Sequence, residues 1–168
     1  SGRIERQDYH YKRHGTCVVL MAIEPLAGHR IVKITEQRTK KDYAEFMKTV
    51  ASYYKSADKI ILVQDNLNTH NSSSFYEIYG APEAFFLSQR FEMVYTPKKA
   101  SWLNMAEIEL SALSKQCLDR RIDKMSTLSR EVLAWSAERN RSKSKISWHF
   151  TKSKAREKLN RAYTTIKN

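Results

Sequence analysis

The sequence predicts a mixed α/β fold with a helical C-terminal end. Over the first two thirds, strand-type apolar stretches alternate with segments whose apolar residues recur at helical spacing. The last third holds helical periods only. No internal repeat or long linker interrupts the 168 residues, a length that suits one domain, residues 1–168, with a real core.

"HGTCVVLMAIEPLAGHRIVKITEQR" reads as a β-hairpin: residues 17–23 are strand formers, Pro25 and Gly28 punctuate the turn, and residues 30–36 alternate again. "TKKDYAEFMKTVASYYKS" places Tyr43, Phe46, Met47, Val50 and Tyr54 at a helical period, with Thr39 as N-cap. A strand over residues 59–64 runs into Asp65 in "IILVQDNLNTH". "SSSFYEIYG" is a short helix that Asn71 or Ser72 caps, and a second helical piece over residues 82–88 leads into the strand "FEMVYTP". Leu103, Ala106, Leu110, Leu113 and Cys117 mark one long amphipathic helix over residues 102–121. Helices over residues 126–140 and 152–163 follow, separated by the basic "RNRSKSK".

Composition narrows the class. Hydrophobic content of 41% and charged content of 29% fit a globular protein rather than a disordered or fibrous one. No apolar run is long enough to span a bilayer and no signal peptide opens the chain. Cys17 and Cys117 have apolar neighbours and no metal-ligand spacing, so both are expected as reduced core residues of a cytosolic protein. The net charge of +12 points to a polyanionic partner. Residues 111–168 carry fifteen basic and five acidic side chains, so most of the excess sits in the last third. A solvated helical surface is the plain alternative. The concentration of charge favours nucleic acid, and a membrane surface fits poorly because the basic tail lacks a separate apolar face.

Two acids invite attention. Asp65 stands at the carboxyl end of an apolar strand, where open α/β sheets bind ligands, although Asp is also an ordinary turn residue in "DNLNT". In "TPKKASWLNMAEIEL", Glu107 and Glu109 fall in the first turn of a helix. Asn104 as N-cap with Glu107 three residues on is also a capping-box pattern. Read alone, each feature is accounted for by local structure. Together, on a basic protein, they form the layout of a divalent-metal site acting on phosphodiesters. In that chemistry two cations about 4 Å apart are held by carboxylates, and magnesium suits the oxygen ligands. Zinc spacing, a phosphate-cradling glycine loop and a nucleophile elbow are all missing from the sequence.

"VQDNLNTH" followed by "YTPKKASWLNMAEIELSALSKQCLDRR" resembles the DDE transposases of bacterial insertion sequences, relatives of the mariner superfamily. Those enzymes carry a strand-end D-N-x-x-x-H and a later LN-x-x-E helix start. "LNMAE" departs mildly from the commoner "LNPIE". The hairpin "DYHYKRHGTCVVLMAIEPLAGHR" and the tail "WHFTKSKAREKLNRAY" extend the likeness to nearly the whole chain. The resemblance implies an RNase H-like mixed sheet flanked by helices, and Mg²⁺- or Mn²⁺-dependent DNA strand cleavage and transfer. It makes Asp65 the second acid of the catalytic triad and Glu107 the third, both holding metal, with Glu109 in reserve. Asn66 and His70 stand beside the metal site; Trp102 and Asn104 position the Glu107 helix. Arg120, Arg121, Arg139, Arg141, Lys143 and Lys145 are expected to grip phosphates, while Trp135 and Trp148 pack. The partners implied are transposon-end and target DNA and further copies of the chain in a synaptic complex, in the bacterial cytoplasm at the nucleoid.

The family's first acid lies on the first strand of its sheet, ahead of the hairpin. Asp8 in "SGRIERQDYHYKR" matches a later residue. The expectation is therefore a chain without the helix-turn-helix region, the first strand and the first acid. The two-metal site would then be completed by an acid not present here, and the chain alone would be inactive while keeping its affinity for DNA. The competing reading is a non-catalytic DNA-binding or assembly module; a ribonuclease of the same fold fits the two motifs less well.

Overall fold

The computed structural model describes residues 15–65, 71–97, 103–149, 151, 153–154 and 156–157. Its architecture is mixed α/β with a helical C-terminal end, compatible with an RNase H-like fold. Strands β1 (Val18–Glu24) and β2 (His29–Thr35) form an antiparallel hairpin with Val18 opposite Thr35 and Glu24 opposite His29. The turn needs Gly28, whose φ is +70° and whose N–H returns to the Glu24 carbonyl at 2.9 Å. A Cβ there would also lie 2.6 Å from the Lys143 backbone.

Helix α1 (Lys40–Tyr53) starts as the sequence suggests, on a capping box between Thr39 and Asp42. Strand β3 (Ile60–Gln64) leads through α2 (Ser73–Ile78) and α3 (Ala81–Arg90) to β4 (Phe91–Tyr95), which pairs with β3 in parallel. Ser72 stands at the N-cap of α2 without a side-chain cap bond, and Asn71 just ahead of it supplies an Oδ1 that accepts from the Ser73 N–H at 3.1 Å. Helix α4 (Ala106–Leu113) and α5 (Met125–Arg141) complete the described elements. The long helix expected over residues 102–121 is shorter: α4 runs into a π-helical turn, Ser114–Leu118. The helix expected over residues 152–163 falls mostly outside the described residues, although 153, 154, 156 and 157 are helical.

The hairpin is a wall between two cores. Strand periodicity sends Leu20, Ala22 and Ile31 to one side, where they meet α1 through Phe46, Met47 and Val50. It sends Val19, Met21, Val32 and Ile34 to the other, against Leu113, Cys117, Val132 and Trp135 of the C-terminal helices. With both faces covered, β1 can be apolar throughout.

The second pair behaves differently. Ile60, Leu62, Phe91 and Met93 join the α1 core, while Ile61 and Val63 remain 67% and 49% exposed on the opposite face. The apolar run of β3 therefore does not mean burial on both sides. Among the described residues the strands form two separate two-stranded sheets, so β1 and β3 each pair on one side only. Cys117 is buried as expected. Cys17 is exposed, because it precedes β1 and lies outside the alternation that buries the strand.

Candidate active site

Parallel pairing of β3 with β4 brings the carboxyl ends of both strands side by side. Gln64 lies opposite Tyr95, and the Thr96 N–H reaches the Gln64 carbonyl at 2.9 Å. Asp65 is the next residue out and is half-buried. Beneath it the Tyr43 hydroxyl donates to Gln64 Oε1 at 2.9 Å. Burial pushes the Tyr43 phenol well up; the Gln64 bond opposes this, and the Tyr95 and Asp65 charges add to it. Tyr43 thus stays a neutral donor holding the strand end.

Glu107 is exposed in the first turn of α4. Met105, not Asn104, is the N-cap residue of α4 and no capping box with Glu107 forms, although Asn104 Oδ1 accepts from the Ala106 N–H at 3.0 Å. Glu109 is turned the other way and is only 1% exposed. Its Oε1 accepts from Arg30 Nε and, at 2.5 Å, from Arg139 Nε; its Oε2 accepts from Arg139 Nη2 at 3.2 Å. Burial alone would raise the Glu109 carboxyl, but hydrogen bonds and charge from the two arginines outweigh it and hold the group below the usual carboxylate range.

Sequence reasoning does not single out Arg30, though a signal exists. In "RIVKIT" the even positions Arg30, Val32 and Ile34 share the face turned toward α5, so a charge there must find a partner. Its guanidinium also donates to the carbonyls of Gly28 at 2.8 Å, Arg139 at 3.4 Å and Ser144. Asn140 bonds both backbone groups of Arg30, each at 2.8 Å.

The six basic residues expected to meet phosphates divide. Arg139 faces inward to Glu109, with its guanidinium over the Trp135 ring. Arg120 is exposed and pairs with Glu131 at 2.6 Å; Arg141 is exposed and pairs with Glu138. Arg121, Lys143 and Lys145 are exposed. Arg120 also lines a groove of about 450 Å³, with Lys115, Glu131 and Trp135. Trp135 packs on the second core while its indole N–H donates to Gln116 at 2.9 Å, and Trp148 is half-buried. Asn66, His70 and Trp102 lie outside the described residues.

Asp65 and Glu107 offer hard oxygen donors of the kind magnesium or manganese takes. Among the described residues, no three His, Cys, Asp or Glu side chains gather as a metal cage, so the two carboxylates fit such a metal in the kind of donor alone.

A parallel strand pair with a carboxylate just past its carboxyl end, in a mixed α/β fold with a helical C-terminal end, is compatible with an RNase H-like domain. Residues 1–129 match the DDE superfamily endonuclease family, and the chain belongs to it. Membership implies phosphoryl transfer on DNA, and nucleases of this superfamily generally use divalent metals. The match ends within α5, so the segment carrying Arg139, Arg141, Lys143 and Lys145 lies beyond it. Among curated proteins and solved structures, no match to the chain is found. No described helix is long and apolar enough to cross a membrane.

Proposed function

We propose that this chain is the catalytic domain of a transposase from a bacterial insertion sequence related to the mariner superfamily. It would cut DNA at transposon ends and join the freed 3′ end to target DNA. The observation that carries this reading is Asp65 at the carboxyl end of the parallel β3–β4 pair in a DDE endonuclease, with Glu107 opening the next helix. Asp65 and Glu107 would hold Mg²⁺ or Mn²⁺, which when bound activates the attacking oxygen and steadies the leaving one. Asn66 and His70 orient water or phosphate beside them, and Asn104 fixes the start of the Glu107 helix. Arg120, Arg121, Arg141, Lys143 and Lys145 contact backbone phosphates without reading sequence, in an assembly of several copies with both DNA partners.

Among the described residues β1 and β3 each pair on one side only, which supports a further strand beside them, carrying an acid that completes the donor set. A DNA-binding or assembly module is the second reading, favoured by the lack of a three-ligand cluster among the described residues.

One experiment separates them: Mn²⁺-dependent nicking of end-labelled DNA by this chain, by the chain extended upstream, and by the extended chain with Asp65→Ala or Glu107→Ala. Activity in the extended form, abolished by either substitution, supports the transposase. An inert extended form, or one indifferent to both substitutions, leaves the binding module.

A further inference from the structure

We propose that Glu109, clamped by Arg30 and Arg139, is a positioning residue that sets the rotation and register of α4 and thereby the direction of Glu107. This rests on the reading of Glu107 as a metal-holding carboxylate.

Helix α4 is eight residues long, little more than two turns. Its deeply buried apolar anchor, Leu113, sits at the far end. Near its start, the buried attachment is Glu109. Residues two apart on a helix are about 200° apart around its axis. Holding Glu109 against the hairpin therefore turns Glu107 outward, as their burial and exposure reflect.

The clamp draws on three elements: Glu109 from α4, Arg30 from β2 and Arg139 from α5. Arg30 is itself immobilised by three backbone carbonyls and by Asn140. A one-residue slip would shift Glu109 by about 1.5 Å and turn it by about 100°, breaking every one of its bonds. An apolar side chain could fill the same space, but it would tolerate neighbouring rotations. A carboxylate shared between two guanidiniums specifies one, which is the best-attested use of buried ion clusters.

The test is Mn²⁺ binding by the 168-residue chain, followed by the electron paramagnetic resonance of free Mn²⁺ at a temperature where circular dichroism shows each variant folded. Glu109→Asp keeps the charge but shortens the reach, and should weaken Mn²⁺ binding about 10-fold. Arg139→Lys should weaken it in the same direction by less. Glu107→Ala should weaken it at least as much as Glu109→Asp. Adding Glu109→Asp to Glu107→Ala should change nothing further, because Glu109 acts through Glu107.

A folded Glu109→Asp with wild-type affinity, beside a weakened Glu107→Ala, overturns the positioning role and leaves the metal reading intact. Wild-type affinity in Glu107→Ala overturns the metal reading itself. Should Glu109→Asp fail to fold, Arg139→Lys decides on the same terms: folded with unchanged affinity, it overturns the positioning role.

Discussion

Replacing Arg30 by methionine keeps a stem of similar length and removes the charge and all five donors. In the native protein Arg30 is 2% exposed and binds Glu109 together with three backbone carbonyls. The variant leaves Glu109 to Arg139 alone and strips the buried Gly28 and half-buried Ser144 carbonyls of a donor. Breaking one side of a buried ion pair costs about 3–5 kcal/mol. That is a large share of the roughly 5–15 kcal/mol that holds a domain together. At about 2–4 °C per kcal/mol for a chain of this size, the melting temperature should drop by roughly 6–20 °C. Urea unfolding followed by tryptophan fluorescence, with calorimetry beside it, measures both. A loss below about 1 kcal/mol would refute the reasoning, because it would mean that the buried carboxylate tolerates a single partner and the cluster is not a stabilising clamp.

Acid should loosen the same cluster. The Glu109 carboxyl is held below its ordinary range in the folded chain, so the unfolded chain binds that proton more tightly; stability is present above the unfolded carboxylate pKa of about 4.3 and falls as pH drops through the folded value. The urea midpoint between pH 6 and pH 3 should therefore fall less steeply in Glu109→Gln than in the native chain. Gly28→Ala should destabilise by about 1–3 kcal/mol or more, since a left-handed φ and the nearby Lys143 backbone act together; an unchanged melting temperature would contradict the left-handed turn of the hairpin. Converting Arg141, Lys143 and Lys145 to glutamine should reduce the slope of log affinity for duplex DNA against log salt by about 0.9 for each phosphate no longer neutralised, equally for unrelated sequences. An unaltered slope would remove those residues from the DNA surface.

Much of the fold is legible in the sequence because periodicity reports which face of an element meets a core. The hairpin, α1 with its Thr39 cap, and the strand ending at Asp65 all emerge from alternation, helical spacing and turn residues. Periodicity does not report what covers the second face. The runs in β1 and β3 look alike, yet the C-terminal helices cover the far side of β1, and Ile61 and Val63 stay exposed. Charge is harder still. Glu109 reads as a helix-start acid beside Glu107, and Arg139 as one more cation in a basic run. Their true setting depends on Arg30, 79 residues from Glu109 in sequence, a pairing that no local pattern encodes. The π-helical turn after Leu113 hides for a related reason, since apolar spacing continues through it to Cys117.

Because the β1–β2 hairpin is the common wall of both cores, opening either one weakens the wall on which the other packs. Detaching α5 would wet the back of strands whose front is packed on α1, and releasing α1 would do the reverse. The chain should thus melt in one cooperative step despite its two clusters of apolar side chains. The slowest amide hydrogens to exchange should be those of the central hairpin residues, Leu20 to Ile23 with their partners Arg30 to Lys33.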